Sequence, residues 1–261
     1  MTQSLWVGKT GLDAQQTRLS IISNNLANAS TTGYKRDRAL FEDLLYQNVR
    51  QAGSKTSEDT ELPSGLSLGT GVKMVATNKI HTQGNVLQTQ NTYDMAIQGY
   101  GYFQVLHPNG NMSYSRNGEF HINGQGEIVN SSGYRLQPQV VVPPDAMTVS
   151  IGKDGTVSIT QPGNPELVEI GQITLTMFQN PAGLAPIGEN LFFETAASGA
   201  PQIGVPGENG MGTIHQGSLE GSNVNVVEEL VNMIETQRAY EMNSKAIATM
   251  DQMLQYLNNN T

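Results

Sequence analysis

The sequence predicts an α+β chain: long N- and C-terminal helices pairing as a coiled coil, with an all-β middle domain. Three observations carry this. Apolar residues recur at helical spacing near both ends. Between Gly71 and Leu219 the repeat falls to two and Asn-Gly and Asp-Gly turn dipeptides appear. No proline interrupts either helical stretch.

The first helix is written as a heptad. Leu5, Leu12, Leu19 and Leu26 fall at steps of seven, and Gly8, Gln15, Ile22 and Ala29 follow each by three. They form a seam of period 3.5, polar only at Gln15 and small at Gly8. Ser4 is the expected cap and Gly33 the expected stop. Trp6 reads as a packing anchor at the helix head.

Residues 47–70 are poor in apolar side chains and rich in Gly, Ser, Thr and Pro. They read as an extended linker, and a long stretch of this kind is expected to be ordered by partners. The β segment follows. Strand candidates are Tyr102–Leu106, Met112–Arg116, Glu119–Ile122, Glu127–Asn130 and Gln172–Phe178, with alternation at Val149/Ile151 and Val157/Ile159. Prolines such as Pro165, Pro181 and Pro186 mark loops or sheet edges.

The last helix begins at an Asn223 or Asn225 cap, with Glu228 and Glu229 at the positive end of its dipole. Val227, Val231 and Ile234 start one apolar stripe; Ala239, Met242, Ala246, Met250, Met253 and Leu257 form a second. The five-residue step from Ile234 to Ala239 predicts a shift in the seam. Two narrow striped helices bury their seams against each other or against other copies. The expected division is 1–45 with 220–261, then 46–70, then 71–219.

Composition excludes several functions. Only 14% of the 261 residues are charged, there is no cysteine, and about a third are Asn, Gln, Ser or Thr. A disulfide scaffold, a zinc ribbon and a thiol enzyme are ruled out. A net charge of −9 argues against nucleic acid as the main partner. It is uneven: residues 1–55 are net basic, while 219–261 and the middle are acidic. No apolar run reaches the roughly 18 residues of a membrane span. The start, Met1 to Lys9, lacks the pattern of a secretory signal.

No catalytic, cofactor or metal site is expected. Gly65-Leu66-Ser67-Leu68-Gly69 matches the G-x-S-x-G elbow, but Leu62-Pro63-Ser64 precedes it and no α/β alternation follows. His81, His107, His121 and His215 lack ligand spacing and read as surface or strand residues. Gly99-Tyr100-Gly101 lacks the third glycine of a dinucleotide loop. A rival reading is a secreted β-domain binding module, but Tyr93, Tyr100, Tyr102, Phe103 and Tyr114 fall on strands and suit a core.

Four blocks carry a family likeness. They are Ser23-Asn24-Asn25-Leu26-Ala27-Asn28 through Gly33-Tyr34-Lys35-Arg36; Asp94 through Phe103; Tyr114-Ser115-Arg116-Asn117-Gly118-Glu119-Phe120 with Gly133-Tyr134-Arg135-Leu136; and Ser222-Asn223-Val224-Asn225 through Gln237-Arg238-Ala239-Tyr240-Glu241. The chain resembles the bacterial flagellar rod and hook proteins from end to end. Within that family it is most similar to the distal-rod branch, through its length, the stretch from Phe41 to Gly65 and the tail Asp251–Gln255. Proximal rod or hook-type axial proteins are the alternative.

The resemblance implies a non-enzymatic subunit that polymerises helically into a stiff drive shaft of the basal body and carries torque to the hook. It implies self-assembly through Leu5, Leu12, Leu19, Ile22, Leu26, Asn24, Asn25, Asn28, Val227, Val231, Ile234, Met242, Ala246, Met250, Met253 and Leu257. Gly33, Tyr34, Lys35, Gln237, Arg238, Ala239 and Tyr240 are the signature. Implied partners are further copies, the proximal rod, the hook, a rod cap and the ring proteins of the peptidoglycan and outer membrane. The implied place is the periplasm-spanning basal body, reached by type III export without cleavage. The β domain would form the outer wall, and 46–70 would be the stretch particular to the distal rod.

Overall fold

The computed structural model describes residues 2–51, 55–57, 60–61 and 64–259. Two compact units emerge: Met1–Ala27, Asp37–Asn78 and Asn225–Thr261 form one, Asn28–Arg36 and Lys79–Val224 the other. These boundaries differ from 1–45, 46–70 and 71–219. The segments 28–36 and 220–224 belong to the β unit, while 46–70 lies with the helices.

The helical unit holds α1 (Thr2–Ala27) and α2 (Val226–Asn259), about 39 and 51 Å long at 1.5 Å per residue. Ser4 lies inside the first turn of α1, so it is not the cap. The Asn225 carboxamide oxygen accepts from the Val227 and Glu228 amides at 3.1 and 3.4 Å, which makes Asn225 the cap of α2. Gly8 faces Ile247 and Gly11 faces Asn243, so the helices pack antiparallel. A Cβ on Gly8 would stand 2.9 Å from Ile247 Cγ1, which explains the small residue in the seam. Among the described residues, no helix is long and apolar enough to cross a membrane.

Between the helices in sequence lies a run of paired strands. β1 (Asp37–Asp43) pairs with β6 (Val72–Lys79). From their ends rises a ribbon in which β2 (Gln47–Arg50) pairs with β5 (Leu66–Leu68), and β3 (Lys55–Ser57) with β4 (Thr60–Glu61). Its base is closed by the Leu44 amide on the Gly71 carbonyl and the Thr70 hydroxyl on the Leu45 carbonyl. The expected linker therefore contains antiparallel ribbon.

The β unit carries the main core. β7 (Val86–Gln88) pairs with β22 (Ser218–Glu220), and β8 (Met95–Gln98) with β21 (Thr213–Gln216). The largest sheet runs β11 (Phe120–Ile122), β12 (Ile128–Asn130), β13 (Arg135–Gln137), β9 (Tyr102–Leu106), β10 (Met112–Ser115), β19 (Leu191–Phe193), β18 (Ala185–Gly188). β17 (Leu175–Met177) also pairs with β9 and carries β20 (Gln202–Gly204). A third sheet orders β14 (Thr148–Ile151), β15 (Thr156–Gln161) and β16 (Asn164–Gln172). Pro165 and Pro186 lie on the edge strands β16 and β18, where a missing amide breaks no ladder.

Met95, Phe103, Phe120, Leu136, Ile159, Ile173, Leu175 and Ile214 are fully buried and pack as one cluster. Tyr102, Tyr114, Phe178 and Phe192 form a second, with rings meeting edge to face. Gly118 seats β8: its carbonyl accepts from the Met95 amide, and any side chain at 118 would collide with the Met95 carbonyl. Tyr100 departs from the expected aromatic core at 73% exposure, because it sits between Gly99 and Gly101, both at positive φ.

Candidate assembly interface

The apolar face of α2 points outward. Val227, Val231, Ile234, Met242 and Met253 are half or more exposed, and Ala246 is exposed with them. Tyr256 extends the row at 71% exposure. Arg238 occupies the turn between Ile234 and Met242, so the exposed row is apolar on either side of one charged residue. The inward face is Glu229, Thr236, Asn243 and Met250, again at steps of seven. Glu229 and Thr236 are buried, and Met250 is half-buried, apart from the outward row. The Leu257 side chain lies outside the described residues. The seam in the sequence was thus two faces, only one of which packs on the helix partner.

On α1 the expected seam lies on the sheltered side. Ile22 is buried, and Leu5, Leu12, Leu19 and Leu26 are half-buried. Gln15 Oε1 is sealed from solvent and finds no hydrogen-bond partner among the described residues. Trp6 is no core anchor: it is 54% exposed, with Lys9 Nζ 5.5 Å from its ring. Among the described residues of this unit, Ile22 alone is a buried apolar side chain. The ribbon adds Leu45, Tyr46, Val49, Leu66 and Leu68, all exposed.

The N-terminal signature has structural work. Asn25 is buried; its amide donates to the Asp37 carbonyl and its oxygen accepts the Asp37 amide, both at 2.9 Å. This clasp fixes the chain as it leaves α1. Asn24 is exposed, and Asn28 accepts the Thr31 hydroxyl at 3.2 Å. Gly33 sits at φ 69°, and a Cβ there would lie 2.6 Å from the Asn117 amide nitrogen, so no other residue fits. Lys79 lies over the Tyr34 ring. Gln237 and Arg238 are exposed, Tyr240 is 38% exposed, and Ala239 is half-buried on α2.

Lys35 enters a buried charge cluster. Its Nζ stands 2.6 Å from Glu220 Oε1 and donates to the Thr82 carbonyl at 2.8 Å. Arg116 Nε stands 3.1 Å from Glu220 Oε2, and its other nitrogens donate to the Gly99 and Gly101 carbonyls. Gly84 donates its amide to the same carboxylate at 2.9 Å. Asn223 finishes the lock, accepting the Arg36 amide and donating to Ile80 O. Lys35 and Arg116 both stand in signature blocks of the sequence, whereas Glu220 is one acidic residue among several near the C-terminal helix. The signal was available only as two motif residues far apart in sequence.

Burial holds the Lys35 ammonium below its usual range, against the opposing pull of Glu220. His81 is neither surface nor strand; its Nδ1 meets the Tyr102 hydroxyl at 2.8 Å. Burial, then the Lys35, Lys79 and Arg116 charges, push its pKa down to about 4 from 6.5. The unfolded chain therefore takes up a proton near 6.5 that the folded unit refuses. The stabilisation is complete above pH 6.5 and is lost as pH falls towards 4. It amounts to about 3 kcal/mol. Urea midpoints taken near pH 7 and near pH 4.5 should converge in His81→Gln; an unchanged gap would show that other groups carry the acid sensitivity.

The G-x-S-x-G match does not form a strand-to-helix elbow. Ser67 lies on β5, paired across the ribbon with Asn48, with no helix after it. Among the described residues no three His, Cys, Asp or Glu side chains gather as a metal site. His121 and His215 are on strands β11 and β21, and His107 packs on Tyr134 and Phe193.

The sequence is similar to known proteins along its whole length. Residues 5–35 match the family model of flagella basal body rod proteins. Residues 96–159 match that of the flagellar hook protein FlgE/F/G D1 domain, and 215–260 that of the flagellar basal body rod FlgEFG C-terminal region. The chain is 56% identical to the flagellar basal-body rod protein FlgG of Buchnera aphidicola subsp. Schizaphis graminum, across 98% of this chain and 99% of that one. It is 45% identical to FlgG of Borreliella burgdorferi, across 99% and 98%. It is 36% identical to FlgG of Bacillus subtilis, across 99% of both.

Proposed function

The chain belongs to the bacterial flagellar basal-body rod family, and from that membership we propose that it polymerises helically into the distal rod. It is a structural subunit and not an enzyme. One observation carries the polymer: among the described residues the helical unit buries a single apolar side chain, Ile22, while α2 turns an apolar row to solvent. Such a row is satisfied by other copies. A heterologous contact that does not close yields a filament. The seam residues of α1 and α2 would nest as coiled coils in the tube, and the β unit would form the wall. The ribbon, with its exposed Leu45, Tyr46 and Val49, would bridge neighbours and resist bending.

The rod would meet the proximal rod, the hook, a rod cap and the peptidoglycan and outer-membrane rings. It would cross the periplasm after export through the flagellar type III channel. Torque would pass through many lateral contacts in parallel. Concentrating the purified chain and viewing it by negative stain should give tubes above a critical concentration. A monomer by sedimentation at every concentration would sink the proposal.

A further inference from the structure

Four of the eleven methionines lie in α2: Met233, Met242, Met250 and Met253. Met233 and Met250 are half-buried, but Met242 and Met253 are 65% and 53% exposed. These two are eleven residues apart, three helical turns, and so share the outward row with Val231 and Ile234. The chain has no cysteine, so no thiol of its own competes for an oxidant and its thioethers are its only sulfur.

We propose that Met242 and Met253 are oxidation sites whose conversion to sulfoxide switches the assembly face off. The inference rests on the assembly reading above. With hydrogen peroxide as oxidant, a sulfur lone pair attacks one peroxide oxygen. The S–O bond forms as the O–O bond breaks. Sulfur loses two electrons, and the departing oxygen leaves as water after a proton moves to it. A flexible apolar side chain becomes a polar one. In the free subunit both side chains are more than half exposed, so the change costs the monomer little. In the polymer the same sulfoxides are buried among apolar side chains, where an unmatched polar group is unfavourable. Oxidation therefore acts before assembly, and a completed seam protects its own sulfurs.

The test treats the full-length monomer with dilute peroxide, removes it with catalase and confirms sulfoxide at both positions by mass spectrometry. The critical concentration for polymer, read by pelleting, should rise roughly tenfold or more. Methionine sulfoxide reductase should restore it. Met112→Leu/Met147→Leu, which changes two exposed methionines of the β unit, should remain fully sensitive. Met242→Leu/Met253→Leu should show the same critical concentration with and without peroxide, whatever its starting value. An unchanged critical concentration in the doubly oxidised chain overturns the proposal, as does loss of sensitivity in Met112→Leu/Met147→Leu. So does the absence of sulfoxide at 242 and 253. Untreated chain that never polymerises overturns the assembly reading instead.

Discussion

Ile234→Asp gives a folded monomer that no longer polymerises. Ile234 is 50% exposed on the outward row, so a charge there meets water in the free chain. Its effect on monomer stability should stay within about 0.5 kcal/mol, the usual range for surface changes. In the polymer the same carboxylate is buried in every subunit, with the lost apolar burial of about 1.5–3 kcal/mol added to its desolvation. The critical concentration should rise roughly a hundredfold or more. Val231→Asp should behave alike. Ile22→Asp is the contrast, because Ile22 is only 4% exposed. That substitution should lower the helical melt as well as assembly, while the β unit keeps its own transition. Circular dichroism melts and sedimentation of the three variants separate the cases. A tube-forming Ile234→Asp chain would mean that the outward row is not the contact.

Glu220→Gln should cost about 3–5 kcal/mol of β-unit stability, the range for a buried ion pair that loses one partner. The change keeps the shape, removes the charge and turns one acceptor oxygen into a donor amide. It leaves Lys35 and Arg116 facing each other's positive charge in a site where the Lys35 and Glu220 side chains are wholly enclosed. Lys35→Met/Glu220→Gln should recover at least half of the loss, since Arg116 retains the Gly99 and Gly101 carbonyls. Urea unfolding of both variants reads the difference. A single-variant loss under about 1 kcal/mol would show that water or another group already offsets the cluster. The lock ties the segment after α1 to the strand before α2.

Helices and sheet were legible for different reasons. The α1 heptad and the α2 cap at Asn225 are local patterns, carried by side chains a few residues apart. The strands around Phe103, Tyr114 and Val157 announce themselves by alternation and by the turns between them. The ribbon was less legible, because Val49, Leu66 and Leu68 are too few and too exposed to make a period. Trp6 and Tyr100 were misread for one reason: large aromatic size argues for burial only when something covers the ring.

The sequence by itself determined the class of the chain, its two striped ends and, through the signature blocks, its family. These depend on local spacing and residue identity, which folding does not alter. Only the tertiary structure decided which face of α2 is covered. Helical periodicity gives a stripe but not its neighbour: α1 took the face of Asn243 and Ile247, while Val231, Ile234 and Met242 are left to solvent. Tertiary structure also decided that Lys35, Arg116 and Glu220 meet. Long-range charge pairing depends on the path of the chain between them, and no spacing in sequence encodes that path.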